Sequence, residues 1–375
     1  MAIDLQQERA ALDWFEEHRD EYLSALVHAR ESGEQEQVVD LVGTLAPFFQ
    51  RRSYWSEGER ILGWGLEAAA ELGDQGRLAL FLNELGTVHR TQGQWERAEA
   101  GFSAALEAYE RVGDIGGQAG SLSNLGLVLR KRGREREAAD VFRRSISLWQ
   151  ETEGSIEERA RLFGLARSIN DLGMVLRDTD DDGAGPAFQE ALRLREAIDD
   201  GEGASRTLNN LGQLALRRGE PIEAVMLHSR ALEMRQELGD LHGVARTEGL
   251  LAEAYLAAGR VQEAAELLAD ALNIRLRLGD RYGEAQTATG LAQVALQLCH
   301  VDEAQANLVR AREIAHELGD GLLTARTLIA MGELAERMDD LDAARESYGQ
   351  ALQIFNELGA GREYLAAQSR LTRLA

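Results

Sequence analysis

Leu238-Gly239-Asp240, Leu278-Gly279-Asp280 and Leu318-Gly319-Asp320 stand 40 residues apart. Leu72-Gly73-Asp74 is a fourth copy, and Val112-Gly113-Asp114 and Leu358-Gly359-Ala360 are close variants. A glycine at this place suits the left-handed residue that closes one helix. The aspartate after it suits the N-cap of the next. Recurrence at a fixed period marks an array of like units, and self-similarity of this kind decides the fold before any other feature. Between Asp114 and Asp240 the separation is 126, three periods of 40 plus six residues. One unit therefore carries an insertion, which falls near Glu151 to Arg161, between the third and fourth units.

The interior of each unit repeats as well. A small residue sits midway along the first predicted helix: Ala46, Gly86, Gly126, Gly173, Gly212, Ala252, Ala292 and Gly332. A short turn follows, often at a glycine (Gly93, Gly133, Gly219, Gly259). In the second helix a small residue such as Ala98, Ala138 or Ala224 is followed four residues later by a large one: Leu62, Phe102, Phe142, Phe188, His228, Leu268, Leu308 or Tyr348. Three further on the residue is small again, as at Ala105, Ser145 and Ala231. Spacings of three and four place these residues on one helix face. Small side chains let two backbones approach, and the large one fills the space beside them.

This small-small-large-small order over residues 33 to 360 resembles the tetratricopeptide repeat (TPR), in a 40-residue variety longer than the usual period of about 34. HEAT-type repeats share the length but not the small-residue order. The resemblance implies an all-α fold, a right-handed α-solenoid of tandem helix-turn-helix repeats. The expected division is an N-terminal capping helix over 1–32, eight helix pairs over 33–360 that are irregular at 151–186, and a C-terminal capping helix over 361–375. At the front, Leu12, Phe15, Leu23, Leu26 and Val27 lie at helical spacing around Trp14-Phe15-Glu16-Glu17-His18, followed by Ala46-Pro47-Phe48-Phe49 and Tyr54-Trp55. That segment resembles the start of the repeat or sensor region in bacterial signal-transduction (STAND-type) ATPases and antibiotic-pathway regulators. Those proteins place nucleotide-binding and DNA-binding domains before their repeats. A separated sensor half or a free-standing relative is therefore expected, and a plain capping helix is compatible with both.

Composition narrows the class. The net charge of −23 disfavours general binding to nucleic acid or to an anionic membrane. One cysteine, Cys299, excludes an internal disulfide and fits a reducing cytoplasm. Met1-Ala2-Ile3-Asp4 opens on no apolar signal core, and no run of about 18 apolar residues exists to span a membrane. A cytoplasmic protein is expected.

Searches for chemistry return little. Asp178, Asp180, Asp182 and Gly183 match the first half of a calcium loop. The twelfth position, where a bidentate glutamate belongs, is Gln189. A solvated acidic turn is the plainer reading. There is no phosphate-binding Gly-x4-Gly-Lys-Ser/Thr loop, no His-Glu-x-x-His and no Cys-x-x-Cys. His228 occupies a large-residue slot and reads as a packed residue, and Cys299 a turn slot without nucleophile partners. No catalytic residues and no cofactor are expected.

In this repeat family the first helices line a concave groove. Counted from the small midpoint, an early position reads Arg167, Arg206, Arg246, Gln286 and Arg326. The next, expected to be exposed, reads Asn83-Glu84, Ser123-Asn124, Asn170-Asp171 and Asn209-Asn210. One turn later come Arg90, Arg130, Lys131, Arg177 and Arg217, whereas Gly249-Leu250, Thr289-Gly290 and Ile329-Ala330 in the last units are blander. Asparagine can hold a peptide backbone and arginine a carboxylate. These residues predict a groove in units two to five for a protein or peptide segment that is acidic or carboxylate-ended. Pairing of each arginine with a neighbouring carboxylate is the competing reading. The alternative function is the ligand-sensing region of a transcriptional regulator or signal-transduction ATPase, responding to a small molecule or peptide. Homo-oligomerisation is left open.

Overall fold

A computed structural model describes residues 13–52, 54–154, 156–358 and 361–374. Met1 to Asp4, Leu12 and the Gly359-Ala360 variant lie outside the described residues. The chain forms two compact units whose boundary falls between Val175 and Leu176. The first contains α1 (Arg19–Glu31), α2 (Gln35–Arg51), α3 (Trp55–Leu72), α4 (Gln75–Thr91), α5 (Trp95–Val112), α6 (Ile115–Lys131), α7 (Glu135–Glu151) and most of α8 (Glu158–Asp178). The second contains α9 (Ala184–Ala197), α10 (Gly201–Arg217), α11 (Pro221–Glu237), α12 (Leu241–Ala257), α13 (Val261–Leu278), α14 (Arg281–Gln297), α15 (Val301–Leu318), α16 (Gly321–Arg337), α17 (Leu341–Glu357) and α18 (Gly361–Arg373). The fold is an all-α solenoid. The insertion emerges as the segment before α8 together with the extra length of α8 itself, 21 residues against 17 in α4, α6 and α10.

Helix ends follow from the recurring tripeptide. Gly73 and Gly279 take φ of 68° and 67°, the left-handed region that L side chains avoid. Asp74, Asp114, Asp240, Asp280 and Asp320 then each accept a hydrogen bond from the backbone N–H three residues on. In the shorter turn between the helices of a pair, Cys299 stands at φ 61° in the slot that Gly219 and Gly259 fill in other units.

In the pairs α4 on α5, α6 on α7, α10 on α11 and α12 on α13, among others, the first helix packs most extensively on its own second helix. The cause is one contact. A methyl added at Gly86 would come within 2.8 Å of the Phe102 ring, one at Gly126 within 2.6 Å of Phe142, and one at Gly212 within 2.5 Å of His228. Phe102, Phe142, His228 and Tyr348 have no exposed surface.

A second recurring contact joins one pair to the next. At the end of the second helix stands Tyr109, Trp149, Arg195, Arg235 or Arg275, and a glycine of the following first helix makes room for it: Gly117, Gly164, Gly203, Gly243 or Gly283. Aromatic rings serve in the first unit and buried arginines in the second. Arg275 donates to the carbonyl of Gly283, to Thr287 Oγ1 at 2.6 Å and to the carbonyl of Ala245 at 3.3 Å. Arg195 likewise donates to the Gly203 carbonyl, and Arg235 to Asp240 and the Glu202 carbonyl. Those acceptors are what make a buried guanidinium tolerable.

Two glycines of the first unit separate packing from propensity. Gly63 of α3 has open space where a methyl would go, so Gly63→Ala should stabilise by about 0.5–1 kcal/mol. Gly126→Ala should destabilise by about 1–3 kcal/mol because the Phe142 ring must move. Urea unfolding of the two variants checks both signs.

Candidate functional site

Four first helices of the second unit, α10, α12, α14 and α16, present the same registers to one groove of about 680 Å3. One wall is Arg206, Arg246, Gln286 and Arg326, each 40 residues from the last. Seven residues on, two helical turns along the same face, the opposite wall is Gln213, Glu253, Gln293 and Glu333. Between the walls the floor turns from polar Asn209 and Asn210 to apolar Leu250 and Ile329. Helix α18 packs on α17 and contributes Glu363, Ala367 and Arg370 to the groove lining.

The charges of the two walls are unevenly satisfied. Arg206 lies 3.6 Å from Glu202, and Arg326 3.6 Å from Glu363. Arg370 pairs with Glu333. Arg246 and Glu253 have neither a hydrogen bond nor an ion pair among the described residues. Burial in the groove pushes the Arg246 pKa down, and the nearby guanidiniums of Arg235 and Arg206 push the same way. Crowding by protein raises the Glu253 carboxyl, against the pull of Arg326, although water still reaches the side chain. Asp240 and Glu202 oppose the shift at Arg246, yet the Arg246 and Glu253 side chains both reach solvent and neither is held in a direct ion pair among the described residues.

Behind the floor, Asn209 ties three helices together. Its Nδ2 donates to Thr247 Oγ1 of α12 at 2.9 Å, and its Oδ1 is 2.8 Å from His228 Nδ1 of α11. The acceptor at Nδ1 fixes the neutral tautomer with its proton there, leaving Nε2 buried against Gly212 without a donor. Burial lowers the His228 pKa to about 4.

In the first unit the corresponding residues form an internal chain. Asn124 Nδ2 donates to Asn83 Oδ1 at 3.1 Å, and Arg167 donates to Asn124 Oδ1 at 2.7 Å. Arg167 also stands 4.0 Å from Asp171, which accepts from Asn170 at 3.1 Å. Arg90 is half-buried, with its pKa lowered by burial and by Arg167, and Arg130 is half-buried on α6.

The structure corrects two expectations. Ser123, Asn124, Asn170, Asp171 and Asn209 are buried rather than exposed, because neighbouring first helices pack side by side over that register. Arg177 and Arg217 turn to the acidic turn: Arg177 bonds Asp178 and Gln213, and Arg217 bonds Asp178 and Asp180. Asp178 and Asp180, in the turn that matches half a calcium loop, are the carboxylates that Arg217 pairs with. Of the residues predicted for the site, Arg206, Asn209, Asn210 and Arg246 line the groove of the second unit. The groove continues through the units whose sequence looked bland. Their apolar residues are its floor.

Sequence reading missed the acidic wall and the buried arginines. Both were present as 40-residue recurrences, Arg-x6-Glu/Gln on the first helices and Arg-x4-Asp-x2-Gly at the junctions.

The tetratricopeptide-repeat family model matches residues 77–151, 164–237, 207–277, 243–315 and 283–357, and the chain belongs to this family. No curated protein matches the sequence. Among solved structures, a Rap conjugation gene regulator of plasmid pLS20 in complex with the Phr* peptide shares 14% identity at a TM-score of 0.62, over 92% of this chain and 97% of that one. The apo quorum sensor NprR from B. thuringiensis shares 13% at a TM-score of 0.60, over 94% and 100%. A STAND protein with a tetratricopeptide repeat sensor, from Pyrococcus horikoshii, shares 14% at a TM-score of 0.62, over 95% of this chain and 54% of that one. At these identities the likeness is one of fold. No helix among the described residues is long and apolar enough to cross a membrane.

His228 provides a test of the wall's construction. Its folded pKa of about 4 lies below the 6.5 of the free side chain, so the unfolded chain binds the extra proton first. The stabilising effect of a neutral His228 is complete above pH 6.5 and is lost as pH falls toward 4. Between pH 7.5 and 5.0 the stability of the natural protein should drop by about 2 kcal/mol relative to His228→Phe, measured by urea unfolding. Parallel pH profiles for the two proteins would show that the ring is not held neutral.

Proposed function

We propose that the groove between Arg206 and Arg370 is a docking site for a protein or peptide segment, and that Arg246, with Arg206 beside it, holds a carboxylate of that segment. The observation that carries this reading is Arg246, a guanidinium without an internal partner in a walled cavity. Charge-assisted bonds to a carboxylate are what such a group lacks. The Phr* peptide in the complex of the pLS20 regulator supports the class of ligand. The chain acts by binding, without a chemical step of its own, as a scaffold or sensor in the cytoplasm.

A second reading is the ligand-sensing region of a larger regulator. It is favoured by the likeness to the STAND protein, of whose length this chain covers 54%. Both readings use the same groove.

Arg206→Glu combined with Arg246→Glu in the full chain should weaken capture of the partner from lysate at least about tenfold, since reversing both charges turns attraction for a carboxylate into repulsion. Quantitative mass spectrometry of the captured proteins and peptides measures it. Equal capture by the natural and doubly substituted chains would remove the carboxylate role.

A further inference from the structure

The cations of the groove face an acidic wall, and that opposition bears on the ligand. Glu253 stands seven residues after Arg246 on one face of α12, about 10 Å along the helix axis. The two are too far apart to pair with one another, and neither makes a hydrogen bond or ion pair among the described residues. The same spacing recurs on α16 with Arg326 and Glu333, but there Glu363 and Arg370 of α18 pair with the two charges, and glutamines take part of the pattern on α10 and α14. A purely acidic ligand would satisfy one wall and crowd carboxylates against the other, in a chain already at −23.

We propose that the groove takes an extended segment of mixed charge, with an acidic side chain toward Arg246, beside Arg206, and a basic one toward Glu253 on the opposite wall. This rests on the groove being the docking site and adds which chemistry it selects. An extended chain sends successive side chains to opposite sides, so one strand lying between the walls reaches both. Acidic and basic residues of the segment therefore stand an odd number of positions apart, and the Arg246–Glu253 couple reads two neighbours. The apolar floor at Leu250 and Ile329 leaves room for an uncharged side chain beside them. A near-neutral segment also escapes the long-range repulsion that this chain exerts on an acidic one.

The test is selection of a random dodecapeptide display library on the immobilised full chain, repeated with Glu253→Gln, Glu253→Lys and Arg206→Glu/Arg246→Glu, with thermal melts confirming that each variant is folded. The natural chain should enrich peptides with acidic and basic residues at odd separations. Glu253→Gln should lose the basic enrichment and keep the acidic one. Glu253→Lys should bind the peptides selected on the natural chain at least tenfold more weakly and favour acidic residues in place of the basic ones. Acidic peptides without basic enrichment, or basic enrichment indifferent to both Glu253 variants, would overturn the mixed-charge assignment and leave the groove reading standing. Selected peptides that bind Arg206→Glu/Arg246→Glu equally well, or no enrichment at all, would overturn both.

Discussion

The structure depends on a glycine of one helix lying against a large ring of the next. Gly86 admits Phe102, Gly126 admits Phe142 and Gly212 admits His228 because no β-carbon stands in the way. Close packing of this kind has little freedom to slide. It fixes the rotation of each first helix about its axis, and with it the face turned away from the second helix. A small residue meets a large one at the same place every 40 residues, Ala252 and Ala292 packing with Leu268 and Leu308 where glycine and ring are absent, so that face recurs as well. Arg206, Arg246, Gln286 and Arg326 are therefore brought to one wall by packing that none of them takes part in.

The junctions between pairs add a second constraint, and the two units solve it differently. Tyr109 and Trp149 fill the junction with apolar surface in the first unit. Arg195 and Arg275 fill it in the second with guanidiniums bonded to carbonyls of the following helix, and Arg235 with one bonded to Asp240 and to the Glu202 carbonyl of α10. These arginines bring positive charge close behind the groove, and Arg235 is one of the charges felt by Arg246. The groove's electrostatics thus originate partly in its scaffold. His228 contributes the opposite way: it is held neutral, so the floor beneath Asn209 stays free of a further cation.

The repeat was legible in the sequence because its causes are local. Helix closure at Gly73 or Gly279, capping by Asp74 or Asp280, and small-against-large packing all act within one unit and stamp its period on the chain. The groove was only half legible. Arg206 and Arg246 could be placed by counting from the small midpoint, but Asn124, Asn170 and Asn209 could not be read as buried, since their neighbours lie about 40 residues away in the adjacent helices. Arg177 and Arg217 counted as groove cations until the fold carried them to Asp178 and Asp180. The acidic wall escaped notice because glutamate is common in a chain of net charge −23, and only its register opposite the arginines gives it meaning.

The central claim is that ligands enter by the groove of the second unit and not by the outer face of the second helices. Site-specific photo-crosslinking tests it most directly, with a benzophenone side chain placed at Leu250 on the groove floor or at Met226 on α11, whose side chain is exposed (68%). The account predicts that the partner crosslinks from position 250 and not from 226. Crosslinking from 226 with none from 250 would contradict it.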